Sequence, residues 1–106
     1  MSRVYFNVQA EQDLSDIITG LLLWTKVSIS EEEALGYADD IYLFAHTISE
    51  LTHHQKCKYL MHRLYGEYHL KYKRNSRTTW YIIYDINPVS GDILINRIIS
   101  NHITQE

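Results

Sequence analysis

The sequence predicts an α+β fold: two N-terminal helices packed on one face of a small, mostly antiparallel four-stranded sheet, in the order β-α-α-β-β-β. Three observations predict it. Two segments of the first half carry apolar residues at helical spacing, the second half switches to a period of two, and short turn signals separate the last three strands. At 106 residues, 45% of them apolar, the chain suits a single domain spanning 1–106 with one core.

Residues 3–8, Arg-Val-Tyr-Phe-Asn-Val, alternate and are rich in β-branched and aromatic types, as in a short strand. From about Glu11 the period changes. Leu14, Ile17, Ile18, Leu21 and Leu22 fall at i, i+3, i+4, i+7 and i+8, one face of a helix that tolerates Gly20 at a cost of about 1 kcal/mol relative to alanine. Val27-Ser28-Ile29 is a connector. Ser30-Glu31-Glu32-Glu33 is a capping box, and its three carboxylates suit the positive end of the helix dipole. A long amphipathic helix follows, with Ala34, Tyr37, Ala38, Ile41, Phe44, Ala45, Ile48 and Leu51 inward and Glu33, Asp39, Asp40 and Glu50 outward. Thr52-His53-His54 ends it, with room for a further helical turn around Gln55–Arg63.

After Gly66, Tyr68, Leu70 and Tyr72 alternate with His69, Lys71 and Lys73, giving a strand with an aromatic face and a cationic one. Asn75-Ser76 is turn material. Thr78 to Ile86 is β-branched and aromatic on both faces, as in a central strand covered on both sides. Asn87-Pro88-Val89-Ser90-Gly91-Asp92 reverses the chain into a last strand, Ile93 to Ser100. Short turns make these three strands an antiparallel meander, and the helices bury their stripes on one of its faces.

Composition excludes several classes. Leu21-Leu22-Leu23-Trp24 is the longest strongly apolar run, far short of the roughly 20 residues that span a bilayer. The N-terminal residues lack the apolar block of a signal peptide. Cys57 is alone, so an internal disulfide and a multi-cysteine zinc site are excluded, and a cytoplasmic location is expected. His53 and His54 are adjacent and would diverge by about 100° on a helix. With no third ligand at a telling spacing, no metal or other cofactor is expected. His46 and His62 read as surface or helix-end residues. Lys56 and Lys58 would lower the thiol pKa of Cys57, which lacks a partner base. Tyr37, Tyr81 and Tyr84 fall on core patterns.

The net charge of −3 hides an asymmetry. Residues 1–55 hold two basic and nine acidic groups, a net −7, whereas residues 56–106 hold eight basic and four acidic ones, a net +4. Seven cations and one carboxylate lie between 56 and 77, which suits either a solvated face or a polyanionic partner.

The element order and several local patterns resemble the RelE/ParE superfamily of bacterial toxin–antitoxin toxins. Val4-Tyr5-Phe6-Asn7-Val8-Gln9-Ala10-Glu11-Gln12-Asp13-Leu14-Ser15-Asp16-Ile17 is similar to its first strand and helix start, and Glu33 to Ile41 to its second helix. Trp80 to Ile86 is similar to its central strand and Ile93 to His102 to its last one. The resemblance covers almost the whole chain. It implies a toxin that cleaves messenger RNA at the ribosome (the RelE type) or poisons DNA gyrase without catalytic residues (the ParE type), in either case held inactive by a cognate antitoxin. A non-toxic homologue that keeps only partner binding is the third alternative. No membrane partner is implied.

Metal-independent RNA cleavage needs a base at the 2′-hydroxyl, an acid for the leaving 5′-oxygen and cations around the phosphate. Clustered cations depress one another's pKa and make a lysine a competent base. By this analogy Lys71 or Lys73 is the base or phosphate clamp, Arg77 stabilises the transition state, and His102 is the acid. His69, Arg74 and Arg97 are then substrate-binding candidates. The bland alternative is that alternating lysines keep an outer strand soluble.

Overall fold

The computed structural model describes residues 2–24, 29–74 and 77–101. Most of the Val27-Ser28-Ile29 connector, the Asn75-Ser76 turn and His102 lie outside them. The described chain is α+β, with three helices and a mixed five-stranded sheet. Strand β1 (Val4–Phe6) is followed by α1 (Val8–Trp24), α2 (Glu31–His46), a 3₁₀ turn (Thr47–Glu50), β2 (Gln55–Lys56), α3 (Leu60–Arg63), β3 (Tyr68–Lys73), β4 (Thr79–Ile86) and β5 (Ile93–Ser100). The strands lie in the order β1-β5-β4-β3-β2.

Helix α1 starts three residues earlier than its apolar period. Asn7 is the reason: its side-chain oxygen accepts from the Ala10 N–H at 2.8 Å while its own N–H donates to the Ile95 carbonyl at 3.0 Å. One residue thus closes the β1–β5 pairing and caps the helix. The predicted cap of α2 forms as well. Ser30 Oγ accepts from the Glu33 N–H at 3.1 Å and its hydroxyl donates to the Glu33 carboxylate at 3.1 Å. The α-helix stops at His46, short of the predicted Leu51. Thr47 and Ser49 donate their hydroxyls back to the carbonyls of Phe44 and His46, and the last turn tightens to 3₁₀.

The predicted strand count is corrected. The sheet has five strands, because Gln55 and Lys56 pair antiparallel with His69 and Tyr68, and α3 is a single turn of helix in the same segment. A two-residue strand has no period to detect. The sheet is also mixed, since β1 runs parallel to β5, while β3, β4 and β5 form the expected antiparallel meander.

The main core lies between the sheet and α1–α2. Ala10, Ile17, Ile41, Ala45 and Ile48 pack on Ile82, Tyr84, Ile93, Ile95 and Ile98. Each fully buried isoleucine contributes about 1.5–3 kcal/mol relative to exposure. A second, smaller cluster lies on the opposite sheet face, where Tyr59 and Tyr65 pack on Cys57, Tyr81, Ile83 and Ile99. Strand β4 is therefore covered on both sides, with Tyr81 to Tyr84 all buried.

A β-bulge decides the faces of β5. Ile83 pairs with Arg97 and Tyr84 with Ile95, so Asn96 is the extra residue. Strict alternation would place Arg97 and Ile99 with Ile93 and Ile95. The bulge instead turns both to the far face, beside Tyr65 and Tyr81. Where β1 ends, the buried Asp13 of α1 takes over the edge of β5. It accepts from the Ile98 N–H at 2.8 Å, from Arg97 Nε at 2.8 Å and from Arg97 Nη2 at 3.3 Å. No helix among the described residues is long and apolar enough to cross a membrane.

Asp13→Ala strands a half-buried guanidinium and a buried backbone N–H. It is expected to lower unfolding stability by on the order of 3 kcal/mol in urea titrations followed by circular dichroism. A loss below about 0.5 kcal/mol would contradict this role for Asp13.

Candidate functional site

The sheet face turned away from α1 and α2 gathers most of the chemistry. On β3, Tyr68, Leu70 and Tyr72 enter the main core, so His69, Lys71 and Lys73 project the other way. Lys71 stands opposite Tyr81 on β4, its Nζ 6.0 Å from the ring centroid, and Lys73 stands opposite Thr79. Both lysines are exposed. Lys58 and Arg63, from the connection and turn that cross this face, add two more exposed cations. The outer layer formed by α2 is acidic by contrast, with Glu31, Glu32, Glu33, Asp39 and Asp40 exposed. Part of the charge asymmetry between halves of the chain is thus an asymmetry between the α2 layer and the far sheet face.

Residues 57–66 cover the upper part of the cationic face. Their course from β2 back to β3 is pinned by short bonds: the Cys57 N–H donates to the Glu67 carbonyl at 2.9 Å, Arg63 Nε to the Cys57 carbonyl at 3.1 Å and Asn96 Nδ2 to the Tyr65 carbonyl at 2.7 Å. Asp85 joins this anchor by accepting from the Glu67 N–H at 2.9 Å and from Asn96 Nδ2 at 2.9 Å. Gly66 suits the close approach here. A Cβ there would meet Ile83 Cγ2 at 3.0 Å, Asn96 Nδ2 at 3.1 Å and the Tyr84 carbonyl at 3.1 Å.

Beneath the cover sits an aromatic cluster around Tyr81. The His62 ring lies 4.6 Å from it, His69 5.8 Å and Tyr59 5.9 Å, and the two imidazoles are 6.5 Å apart, centre to centre. His62 is fully buried and His69 is 2% exposed. Neither ring nitrogen of His69 has a hydrogen-bond partner among the described residues. Burial lowers the His69 pKa, and the charges of Lys71, His62 and Lys58 push it the same way. The imidazole is therefore neutral at pH 7. Burial also raises the Tyr81 hydroxyl, with the hydrogen bond to Tyr59 adding to the effect.

The structure separates the other candidates. Arg74 turns to the helix side, where it pairs with Asp40 and stacks 4.4 Å above the Tyr37 ring; that ring's hydroxyl accepts from Trp80 Nε1 at 2.9 Å. It braces α2 against the sheet, on the face opposite Lys71. Arg97 does reach the far face, but Asp13 holds it and it lies 4.6 Å above the Tyr65 ring. Hydrogen bonding to Asp13 raises its pKa further, outweighing partial burial. Arg77 is exposed between β3 and β4. Lys71, Lys73 and His69 are thus brought together, His69 beneath the cover.

Two expectations are corrected. His62 is a fully buried residue of α3, not a surface one, and Leu60 and Leu64 take the outside instead, 68% and 82% exposed. Spacing would have chosen the leucines for the inside; only the pairing of β2 with β3 sets which side of this single turn meets the sheet. Cys57 is buried, and its thiol pKa is raised by burial and by Asp85 against a smaller lowering by Arg63. Adjacent lysines in sequence do not decide its reactivity. Among the described residues no three His, Cys, Asp or Glu side chains converge to hold a metal ion. His54 is bonded to the Tyr84 hydroxyl at 2.7 Å.

Compared with protein-family models, with curated proteins and with solved structures, the chain matches none.

Gly66→Ala forces a methyl group against backbone and buried side chains. It is expected to cost about 1–3 kcal/mol of stability, measured by urea unfolding. A neutral substitution would contradict the close seating of the cover.

Proposed function

We propose that the chain is the toxin of a toxin–antitoxin pair and that its cationic sheet face engages messenger RNA, as in a RelE-type endoribonuclease working in the cytoplasm. One observation carries this reading. Lys71 and Lys73 share an exposed face with Lys58 and Arg63, while the acidic groups of α2 lie across the sheet. Such a field attracts a phosphodiester backbone and repels it from the helical side. Lys71 and Lys73 serve as phosphate clamp and base, with Arg77 at the turn beside them. An acidic antitoxin segment laid over the same face would block it.

A second reading is favoured by burial of His69 and by the grip of Asp13 on Arg97, which leave that face cationic but without an exposed imidazole among the described residues. In that reading the face binds a protein target such as DNA gyrase, and no bond is cleaved.

Induced expression in a bacterium without the cognate antitoxin tests both. Growth arrest with fragmented messages is expected, and Lys71→Ala with Lys73→Ala should slow fragmentation at least tenfold while circular dichroism is unchanged. Arrest with intact messages and inhibited supercoiling would replace cleavage by gyrase binding. Unimpaired growth with soluble protein would sink the toxin reading altogether.

A further inference from the structure

We propose that residues 57–66 form an acid-released cover: protonation of His69 is incompatible with the closed arrangement and drives this segment off the sheet face that carries Lys71 and Lys73. The inference goes beyond the proposed function and does not depend on it.

The geometry makes His69 the trigger. It is 2% exposed, its two ring nitrogens lack hydrogen-bond partners among the described residues, and the Tyr81 ring stands edge-on to it at 5.8 Å. A charged imidazole there would have no water and no acceptor for its two N–H groups. The charges that act on it make matters worse. Its own strand contributes Lys71, the connection from β2 contributes Lys58, and α3 contributes the fully buried His62. From β4 come Tyr81, whose hydroxyl is neutral, and Ile83, while β2 places uncharged Gln55 opposite it. Glu67, two residues before it, is paired with Lys56 at 3.7 Å.

The sign of the linkage follows. With the cover open, His69 returns to ordinary solvation and binds a proton near pH 6.5; closed, its pKa is lower. Closure is therefore undiminished above about pH 6.5 and weakens as pH falls below it, because the open form takes up a proton that the closed form refuses.

The cover is also the part of the fold able to yield alone. It hangs on a two-residue strand and one helical turn, and its hydrophobic cluster has four buried residues among those described, Cys57 of the cover itself and Tyr81, Ile83 and Ile99 of the sheet. The main core, built from α1, α2 and the other face of the sheet, shares none of those four.

Cys57 supplies the reporter, since it is 4% exposed and packs in the covered cluster. Its labelling by 4,4′-dithiodipyridine, a reagent that works in acid, is measured on the whole chain and divided by the rate for the urea-unfolded chain at the same pH. Protection is expected to fall about threefold to tenfold between pH 7.5 and 5.5, with the far-ultraviolet circular dichroism unchanged. In His69→Phe and in His69→Gln, which cannot titrate, protection should stay level over that range; two variants guard against one failing to fold. Constant protection in the wild type would overturn the proposal. So would an equal fall in a folded His69 variant, or a fall that coincides with loss of the whole circular dichroism signal.

Discussion

Asp13 sits at a seam where three layers meet. Strand β1 is only three residues long and leaves one edge of the second half of β5 unpaired by a strand. An open edge there would leave the Ile98 N–H unsatisfied inside the protein. Asp13 closes it from α1 and in the same stroke binds the Arg97 guanidinium through two nitrogens. Arg97 in turn lies on the Tyr65 ring, at the end of the segment that covers the far face. Helix layer, sheet and cover are thus linked through one carboxylate. Arg97 can only take part because the bulge at Asn96 turns it to the correct side.

Asn96 and Asp85 play a matching part lower in the sheet. The bulged asparagine donates to the Tyr65 carbonyl and to Asp85, while Asp85 accepts from the Glu67 N–H. Irregularity in one strand has been used to hold an irregular segment of another. The consequence is a fold with a large core on one side of the sheet and a small, polar-edged one on the other. The small one contains the features that a structural role alone does not explain: two buried histidines beside Tyr81, one of them without a hydrogen-bond partner among the described residues.

Much of this fold was legible as pattern. The capping box at Ser30 placed the start of α2, and the period-two stretch after Gly66 placed β3 together with the face that Lys71 and Lys73 take. The last strand runs from Ile93 to Ser100 as expected, and the central strand begins one residue late. These succeed because capping and side-chain alternation are local: each is decided by residues a few positions apart. The resemblance to RelE/ParE toxins remains a likeness of order and pattern, and the toxin reading rests on it together with the charged face. What was not legible involves partners far away in the chain. Arg74 and Lys73 are neighbours in sequence, yet one braces α2 through Asp40 and the other faces solvent across the sheet. Lys56 and Lys58 flank Cys57, yet burial governs its thiol.

By itself the sequence determined the α+β class, the helical stripes, the meander and the separation of acidic from basic residues, since each follows from periodicity or composition. Tertiary structure decided which residues the far face would cover and which it would leave in water. Residues 57–66 carry too few positions for a period, and their inward side was chosen by the pairing of Gln55 and Lys56 with β3 and by the bulge opposite Ile83 and Tyr84. Burial of His62 and His69 follows from that choice, because a side chain's environment is set by what packs against it and not by its neighbours along the chain.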